Sequence, residues 1–395
     1  MVSTVPHLSD EASPSPRGYS TPLCRTSPSL PVPLLTPPAK IQLTSYLNET
    51  PLSAKCFKLE SAPQDPYSIA LEPDDVLVQP VYLSMDTNIY MRIDTHSSSS
   101  HYRLPAFQPG ETANSYGVGY VLASRHPHFA KGDTVLGWTM PWASFGMVPG
   151  GRGLINLKAG IQRLPLQWFV GVLGIHAFTA WYGLTQLAHP RRGQTLVVSA
   201  AMSGVGQMVV QLAGILGLKV VAIVGSNLKM EKVRENPHVF LAINYYAEYD
   251  LSETLHRRLP DGVDIYFDCV GGAGLDGILR VLNTNGRIIL GGILSDHALI
   301  QRSLPVYHLL QLAEANASIL GFRVQDVFQK YYPIFVQDMV KLIHKYNVTY
   351  VLDLVCGLEN APKALLGVFQ SRNLGKCIVQ VSQDDTDPPL SDGRR

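Results

Sequence analysis

No two cysteines in the chain are spaced as a CxxC pair. The five present, Cys24, Cys56, Cys269, Cys356 and Cys377, are scattered and odd in number, which argues against a disulfide framework and against a clustered zinc site. A reducing compartment, the cytoplasm, fits that usage. An excess of either charge is also missing. Lys and Arg number 32 against 31 Asp and Glu, the formal net charge is +1, and charged residues make up only 16% of the chain, so no basic field is available to attract nucleic acid. A small molecule is the expected partner. No apolar run is long enough for a membrane span, which needs about 20 residues. The most apolar long stretch, FVGVLGIHAFTAWYGL at 169–184, is interrupted by His176 and Thr179 and reads as a buried helix. Residues 1–39 lack aliphatic periodicity and any continuous apolar core of a secretory signal. Rich in Pro, Ser and Thr, they read as a disordered tail, with Arg17 and Arg25 among the serines leaving a transit-peptide reading open.

What remains is long enough for two domains, since 395 residues is more than twice the length of a typical single domain. Residues 40–165 alternate short β-like runs with Gly, Pro and Asp punctuation, as in DDVLVQPVYL, YGVGYVLAS and KGDTVLGW, which predicts a mainly β domain. Over 166–325 the pattern changes to the apolar runs TLVVSAA, KVVAIVG, FLAINYY, VDIYFDCV, GRIILGGI and ASILGFRV, separated by helical stretches. Such runs are strands buried on both faces, and the order predicts a doubly wound parallel α/β sheet. Residues 326–383 return to β-like text in YVLDLV and KCIVQVS and are expected to complete the first domain. Residues 384–395 read as a flexible tail.

The stretch SAAMSGVGQMVVQLA at 199–213 reads as a strand end, a turn over Ser203, Gly204, Val205 and Gly206, and a helix whose N-terminus favours an anion. Ala200 and Ser203 stand where dinucleotide sites often have glycine. Taken alone the loop is equally an ordinary strand-to-helix turn. Some 20 residues on, where an NAD-type site places an acid on the ribose, Gly225, Ser226 and Asn227 carry none. Lys229 follows in the first turn of the next helix, placed for a 2′-phosphate or simply for solvent. Tyr245 ends the third strand, as a phosphate cover or as a rim residue.

Taken in order, LSMD with IYMR around Tyr90, GVGYVLASRHPHFAKGDTVLGW, SAAMSGVGQMVVQLA, GSNLK, AINYY, PDGVDIYFDCVGG, GRIILGGILSD, GFRV and RNLGK resemble the zinc-independent medium-chain dehydrogenase/reductase superfamily. Within it they are similar to the NADP-dependent alkenal and enone double-bond reductase branch, which includes the prostaglandin and leukotriene reductases. The resemblance runs from about 73 to 382. It implies a GroES-like β domain with a Rossmann domain, NADP(H) as cofactor, and a homodimer. It assigns the 2′-phosphate to Lys229 and Tyr245. It places Thr179, Ser203, Gly204, Val205, Gly206, Gly225 and Ser226 on the cofactor, with Gly291, Gly292, Ile293, Leu294, Ser295, Phe322 and Asn373 around its nicotinamide half. Two departures stand out: Cys269 replaces the Asn of FDNVGG, and His297 replaces the Tyr of SQYN.

A catalytic zinc in such a fold needs a thiolate and a histidine from the first domain. The corresponding stretches supply Met85 and Glu111, while His126 and His128 lie in a polar turn, so no metal is expected. Without one, alcohol oxidation would need another base. Hydride transfer from NADPH to the β-carbon of an α,β-unsaturated carbonyl needs only a donor at the enolate oxygen, and His297 and Tyr90 are the candidates. The expected function is NADPH-dependent reduction of such C=C bonds, in a specialised-metabolite pathway. Its rivals are quinone reduction on the same scaffold and an NADPH-binding protein without turnover.

Overall fold

The structure, a computed structural model, describes residues 38–46, 53–93, 104–157, 164–292 and 306–384. The expected tails therefore fall outside the described residues, except that Ala39 already opens the first strand and Asp384 is buried. The chain divides into two compact units. One is Val172–Val351, and the other comprises the described residues of 38–171 together with 352–384.

In the second of these, β1 (Ala39–Leu43) and β2 (Phe57–Ser61) form an antiparallel pair. The main sheet contains β3 (Val76–Ser84), β4 (Asn114–Ser124), β5 (Thr134–Pro141), β6 (Gly146–Val148) and β7 (Leu154–Asn156). The return segment adds β14 (Leu352–Cys356) and β15 (Lys376–Gln380), giving the order β14-β15-β3-β4-β5-β7 with β6 also on β3. β3 is central, so eight of its nine residues are buried. Pro80 cannot donate to the ladder, and the pairing with β4 shifts register between Pro80 and Tyr82. Gly119 lies opposite that shift, where a Cβ would run into the Gln79 carbonyl oxygen. The glycines of YGVGY thus allow two backbones to approach across an irregular ladder.

The unit Val172–Val351 is built on six parallel strands: β8 (Thr195–Val198), β9 (Lys219–Val224), β10 (Val239–Asn244), β11 (Val263–Asp268), β12 (Leu282–Leu290) and β13 (Ser318–Gly321). They lie in the order β10-β9-β8-β11-β12-β13, the doubly wound order in which the sheet reverses direction between its first and fourth strands. Val197, Val221, Ile223, Ile243, Tyr266 and Ile288 pack into one core cluster with helix residues such as Leu255 and Ile278. The alternate residues Leu196, Val198, Val220, Ala222, Ile265, Phe267 and Ile289 are buried as well, and burial on both faces explains why the strands read as unbroken apolar runs.

Two details differ from the sequence expectation. The apolar stretch 169–184 is not one helix: Leu166–Val170 ends at Gly171, whose φ and ψ are both −114°, and a new helix runs Ile175–Tyr182 before a π-helical turn at Gly183–Ala188. Gly171 and Gly174 flank the break, in keeping with the weak helical preference of glycine. The cysteines also differ in state, since Cys56, Cys269 and Cys377 are free thiols whereas Cys356 is disulfide-bonded. The helix Val324–Tyr346 buries Phe328, Tyr332, Phe335, Val336, Met339 and Ile343 along one face and belongs to the parallel-sheet unit.

Candidate active site

The turn after β8 is organised by Ser203. Its N–H donates to the Ala200 carbonyl at 2.7 Å, and its Oγ accepts the Gly206 N–H at 3.0 Å. The hydroxyl therefore caps the helix Gly206–Ile215 from three residues upstream. The N–H groups of Gly204 and Val205 have no hydrogen-bond partner among the described residues, and they stand at the helix N-terminus, where an anion is favoured. A Cβ at Gly206 would overlap the Ala200 oxygen and lie 2.7 Å from Ala201 Cα, so only glycine lets the helix sit this close to the strand. Ala200 takes a left-handed φ of 46°, at a cost of about 1–2 kcal/mol for a residue with a Cβ.

Residues that the sequence did not single out hold the loop from below. The Tyr350 hydroxyl donates to the Gly204 carbonyl at 2.9 Å. Gln207 bonds both the N–H and the C=O of Val351 (2.7 and 3.1 Å), and Gln211 bonds both main-chain groups of Thr349 (2.9 and 2.7 Å). Two buried side-chain amides thus replace a strand partner for this segment, which satisfies main-chain groups that would otherwise be costly to bury.

At the end of β9, Ser226 caps the helix Asn227–Arg234 by accepting the Lys229 N–H at 3.2 Å, and the first turn holds no acidic residue. The Asn227 Oδ1 takes a bond from Asn244 Nδ2 at 2.8 Å. Gly225 faces the Tyr245 ring, which a Cβ there would approach to 3.2 Å. Tyr245 in turn packs on Tyr246 with centroids 4.2 Å apart. Burial, then a hydrogen bond with Tyr246, pushes the Tyr245 hydroxyl above its ordinary range, so it stays a donor at neutral pH. The structure brings Gly225, Ser226 and Tyr245 together beside the helix turn that carries Lys229.

Where the sheet reverses direction, the ends of β8 and β11 are tied together. Asp268 Oδ1 accepts from Ser199 Oγ at 2.8 Å, Tyr266 OH at 3.0 Å, Val270 N at 2.9 Å and Gly271 N at 3.0 Å. Ser199 Oγ also accepts the Cys269 N–H at 2.7 Å, and Gly291 N donates to the Asp268 carbonyl. Burial, then the neighbouring Asp268 carboxylate, pushes the Cys269 thiol up. Ser199 and Asp268 were legible only as strand-end polar residues, because their pairing spans 69 positions.

Other sequence candidates are placed as follows. Thr179 is buried and its hydroxyl donates to the Ile175 carbonyl at 2.7 Å. Phe322 packs on Tyr182, with centroids 4.9 Å apart. Gly291 and Gly292 follow β12, whereas Ile293, Leu294, Ser295 and His297 lie outside the described residues. Tyr90 and Asn373 are both in the antiparallel unit. Tyr90 is buried on the helix Asn88–Ile93 against Phe369, and Asn373 Nδ2 donates to the Gly375 carbonyl at 2.6 Å. Met85 is buried, Glu111 Oε2 accepts the Gln108 N–H, and His126 Nδ1 accepts the His128 N–H. Among the described residues no three His, Cys, Asp or Glu side chains cluster as metal ligands.

The strand order, the glycine-dependent loop after β8 and the acid-free end of β9 together fit a dinucleotide cofactor carrying a 2′-phosphate. The chain belongs to the medium-chain dehydrogenase/reductase superfamily: residues 204–343 match the family described as zinc-binding dehydrogenase, and residues 40–156 match the N-terminal domain of oxidoreductase. It is 38% identical to an NADP(+)-dependent 2-alkenal reductase of Nicotiana tabacum over 79% of this chain and 88% of the relative. It is 35% identical to (+)-pulegone reductase of Mentha piperita over 78% and 88% of the two chains. A crystal structure of CurA from Vibrio vulnificus in complex with NADPH superposes with a TM-score of 0.76 at 29% identity, covering 87% of this chain and 99% of that one.

Proposed function

We propose that this chain is an NADPH-dependent reductase that saturates the C=C bond of α,β-unsaturated carbonyl compounds. The carrying observation is the end of β9: Gly225, the Ser226 cap and Tyr245 sit together with no acid in the first helical turn and with Lys229 in it. The relative named as an NADP(+)-dependent 2-alkenal reductase supports the same cofactor and a substrate of this class, since a 2-alkenal is an α,β-unsaturated aldehyde.

When bound, NADPH supplies the hydride that adds to the β-carbon of the substrate. The chain's own residues do the rest. The open N–H groups of Gly204 and Val205 would hold the pyrophosphate and Ser203 and Gly206 would shape its seat, with Thr179 a further cofactor contact. Lys229 and Tyr245 take the 2′-phosphate through a charge-assisted contact and a hydroxyl donor. The resemblance assigns the nicotinamide half to Gly291, Gly292, Ile293, Leu294, Ser295, Phe322 and Asn373. His297 or Tyr90 donates to the carbonyl oxygen as negative charge develops there, and the α-carbon takes its proton from solvent or a nearby hydroxyl. A second copy of the chain is the further partner proposed, on the resemblance alone. The cytoplasm is the proposed location.

NADPH consumption with a panel of enones, alkenals, quinones and saturated aldehydes tests the function. Turnover confined to the enones and alkenals is expected. Turnover confined to quinones, or none with any compound, overturns it.

A further inference from the structure

We propose that the buried ion pair between Lys376 and Asp86 is a positioning device that locks the segment carrying Tyr90 to the segment carrying Asn373. The inference rests on the roles given to those two residues above, and nothing in the chemistry of cofactor or substrate binding by itself calls for a charge pair here.

β15 and β3 run antiparallel, and their ladder ends at the pair Ile378 and Ser84. Beyond that end the two strands would be free to part. One main-chain bond continues the pairing, from Met85 N to Cys377 O at 3.2 Å. The Lys376 side chain supplies the remainder: Nζ donates to the Met85 carbonyl at 2.7 Å and the Cys377 carbonyl at 2.8 Å, and lies 2.9 Å from Asp86 Oδ1. Two main-chain carbonyls thus take hydrogen bonds from the ammonium group, and a carboxylate lies in ion-pair contact with it. The two side chains are only 4% and 7% exposed.

Each partner sits at the root of a candidate functional segment. The main-chain carbonyls of Asp86 and Thr87 accept the N–H groups of Ile89 and Tyr90 at 3.2 and 3.0 Å and so start the helix Asn88–Ile93. The far end of that helix is held by buried Arg92, which bonds Pro105 O and the Asn114 side chain and lies over the Phe107 ring. Lys376 closes the turn in which Asn373 bonds Gly375 O and Leu374 N bonds Asp353 Oδ2. A second tie joins the same two segments, the Tyr90 and Phe369 rings, 5.5 Å apart. A buried ion pair gains little stability over apolar residues of similar size. What it does gain here is geometry, because a lysine bonded to two main-chain carbonyls and paired with a buried carboxylate admits one register between the two segments.

The test uses the full chain with the paired replacement Asp86→Leu/Lys376→Met, which removes both charges together and leaves neither unpaired, and with Asp86→Asn as a second variant of constant shape. Amide hydrogen exchange is expected to quicken in the peptides spanning 84–93 and 370–377 and to stay native over 195–245. NADPH affinity stays within a few fold, because its phosphate seats lie in the parallel-sheet unit. With an α,β-unsaturated ketone, kcat falls by ~10²-fold, the scale of a misplacement of about 1 Å. Whatever loss of kcat Tyr90→Phe causes in the unaltered chain is largely absent in either variant, since the side chain is already out of place. Native exchange in both segments overturns the proposal, and so does a native kcat or a fully additive Tyr90→Phe effect. An unaltered chain inert towards enones, in which the variants still loosen both segments together, overturns the enone-reductase reading instead and leaves the coupling of the two segments established.

Discussion

The Ser199 hydroxyl sits 2.8 Å from Asp268 Oδ1 and 2.7 Å from the Cys269 amide nitrogen, donating to the first and accepting from the second. One side chain at the end of β8 thereby fixes the end of β11, where the sheet changes direction and where doubly wound folds bind their ligands. Ser199→Ala removes both bonds at once and leaves the part-buried Cys269 N–H without its acceptor. A loss of ~1–3 kcal/mol in unfolding free energy is expected by denaturant titration. An unchanged unfolding midpoint would show that Asp268 holds the junction without it.

Cofactor choice follows from the acid-free first turn after β9 and from Lys229 within it. NADPH should bind more tightly than NADH by about 1.5–3 kcal/mol, the range for a hydrogen bond to a charged group. Lys229→Ala should lose most of that preference by weakening NADPH alone. Titration of both nucleotides into both proteins checks this, and equal affinities in the unaltered chain would contradict it.

Metal independence follows from ligand chemistry. A buried thioether at Met85 and a carboxylate at Glu111, already taken up by the Gln108 N–H, do not make the thiolate and imidazole set of a catalytic zinc. Turnover should survive exhaustive chelation unchanged. Loss of activity that zinc restores would place the protein among the metal-dependent members of the superfamily.

Cys269 supplies a pH dependence. Because burial and Asp268 raise its pKa, the thiol stays protonated where an ordinary cysteine, near 8.5, already ionises. Alkylation mapped by mass spectrometry should therefore be slow at pH 8 and keep rising at higher pH. The linkage has a definite sign. The contribution to stability is intact below the unfolded pKa and is lost as pH climbs from there towards the folded value, since the unfolded chain releases the proton first. Cys269→Ala should flatten that alkaline decline, and an identical decline would assign it to other groups.

The strands were the most legible part of the chain. All six apolar runs after residue 190 became β8 to β13, because residues buried on both faces leave a continuous signal that needs no partner to be read. The loop at Ser203 to Gly206 was legible as a turn, but not the bond by which the Ser203 hydroxyl accepts the Gly206 N–H. The break at Gly171 to Gly174 left a local signal in two glycines inside an apolar run, outweighed by the hydrophobicity around them. Long-range side-chain pairings were illegible in principle. Gln207 with Val351, Ser199 with Asp268, and Lys376 with Met85 are 144, 69 and 291 positions apart, and a single sequence holds no trace of which polar residue meets which.

The central claim is tested most directly by the destination of the hydride. An α,β-unsaturated ketone is reduced with NADPH deuterated at the transferable C4 position, and the product is examined by NMR. The account requires deuterium on the β-carbon with the carbonyl group intact. Deuterium on the carbonyl carbon, with an unsaturated alcohol as product, would contradict it.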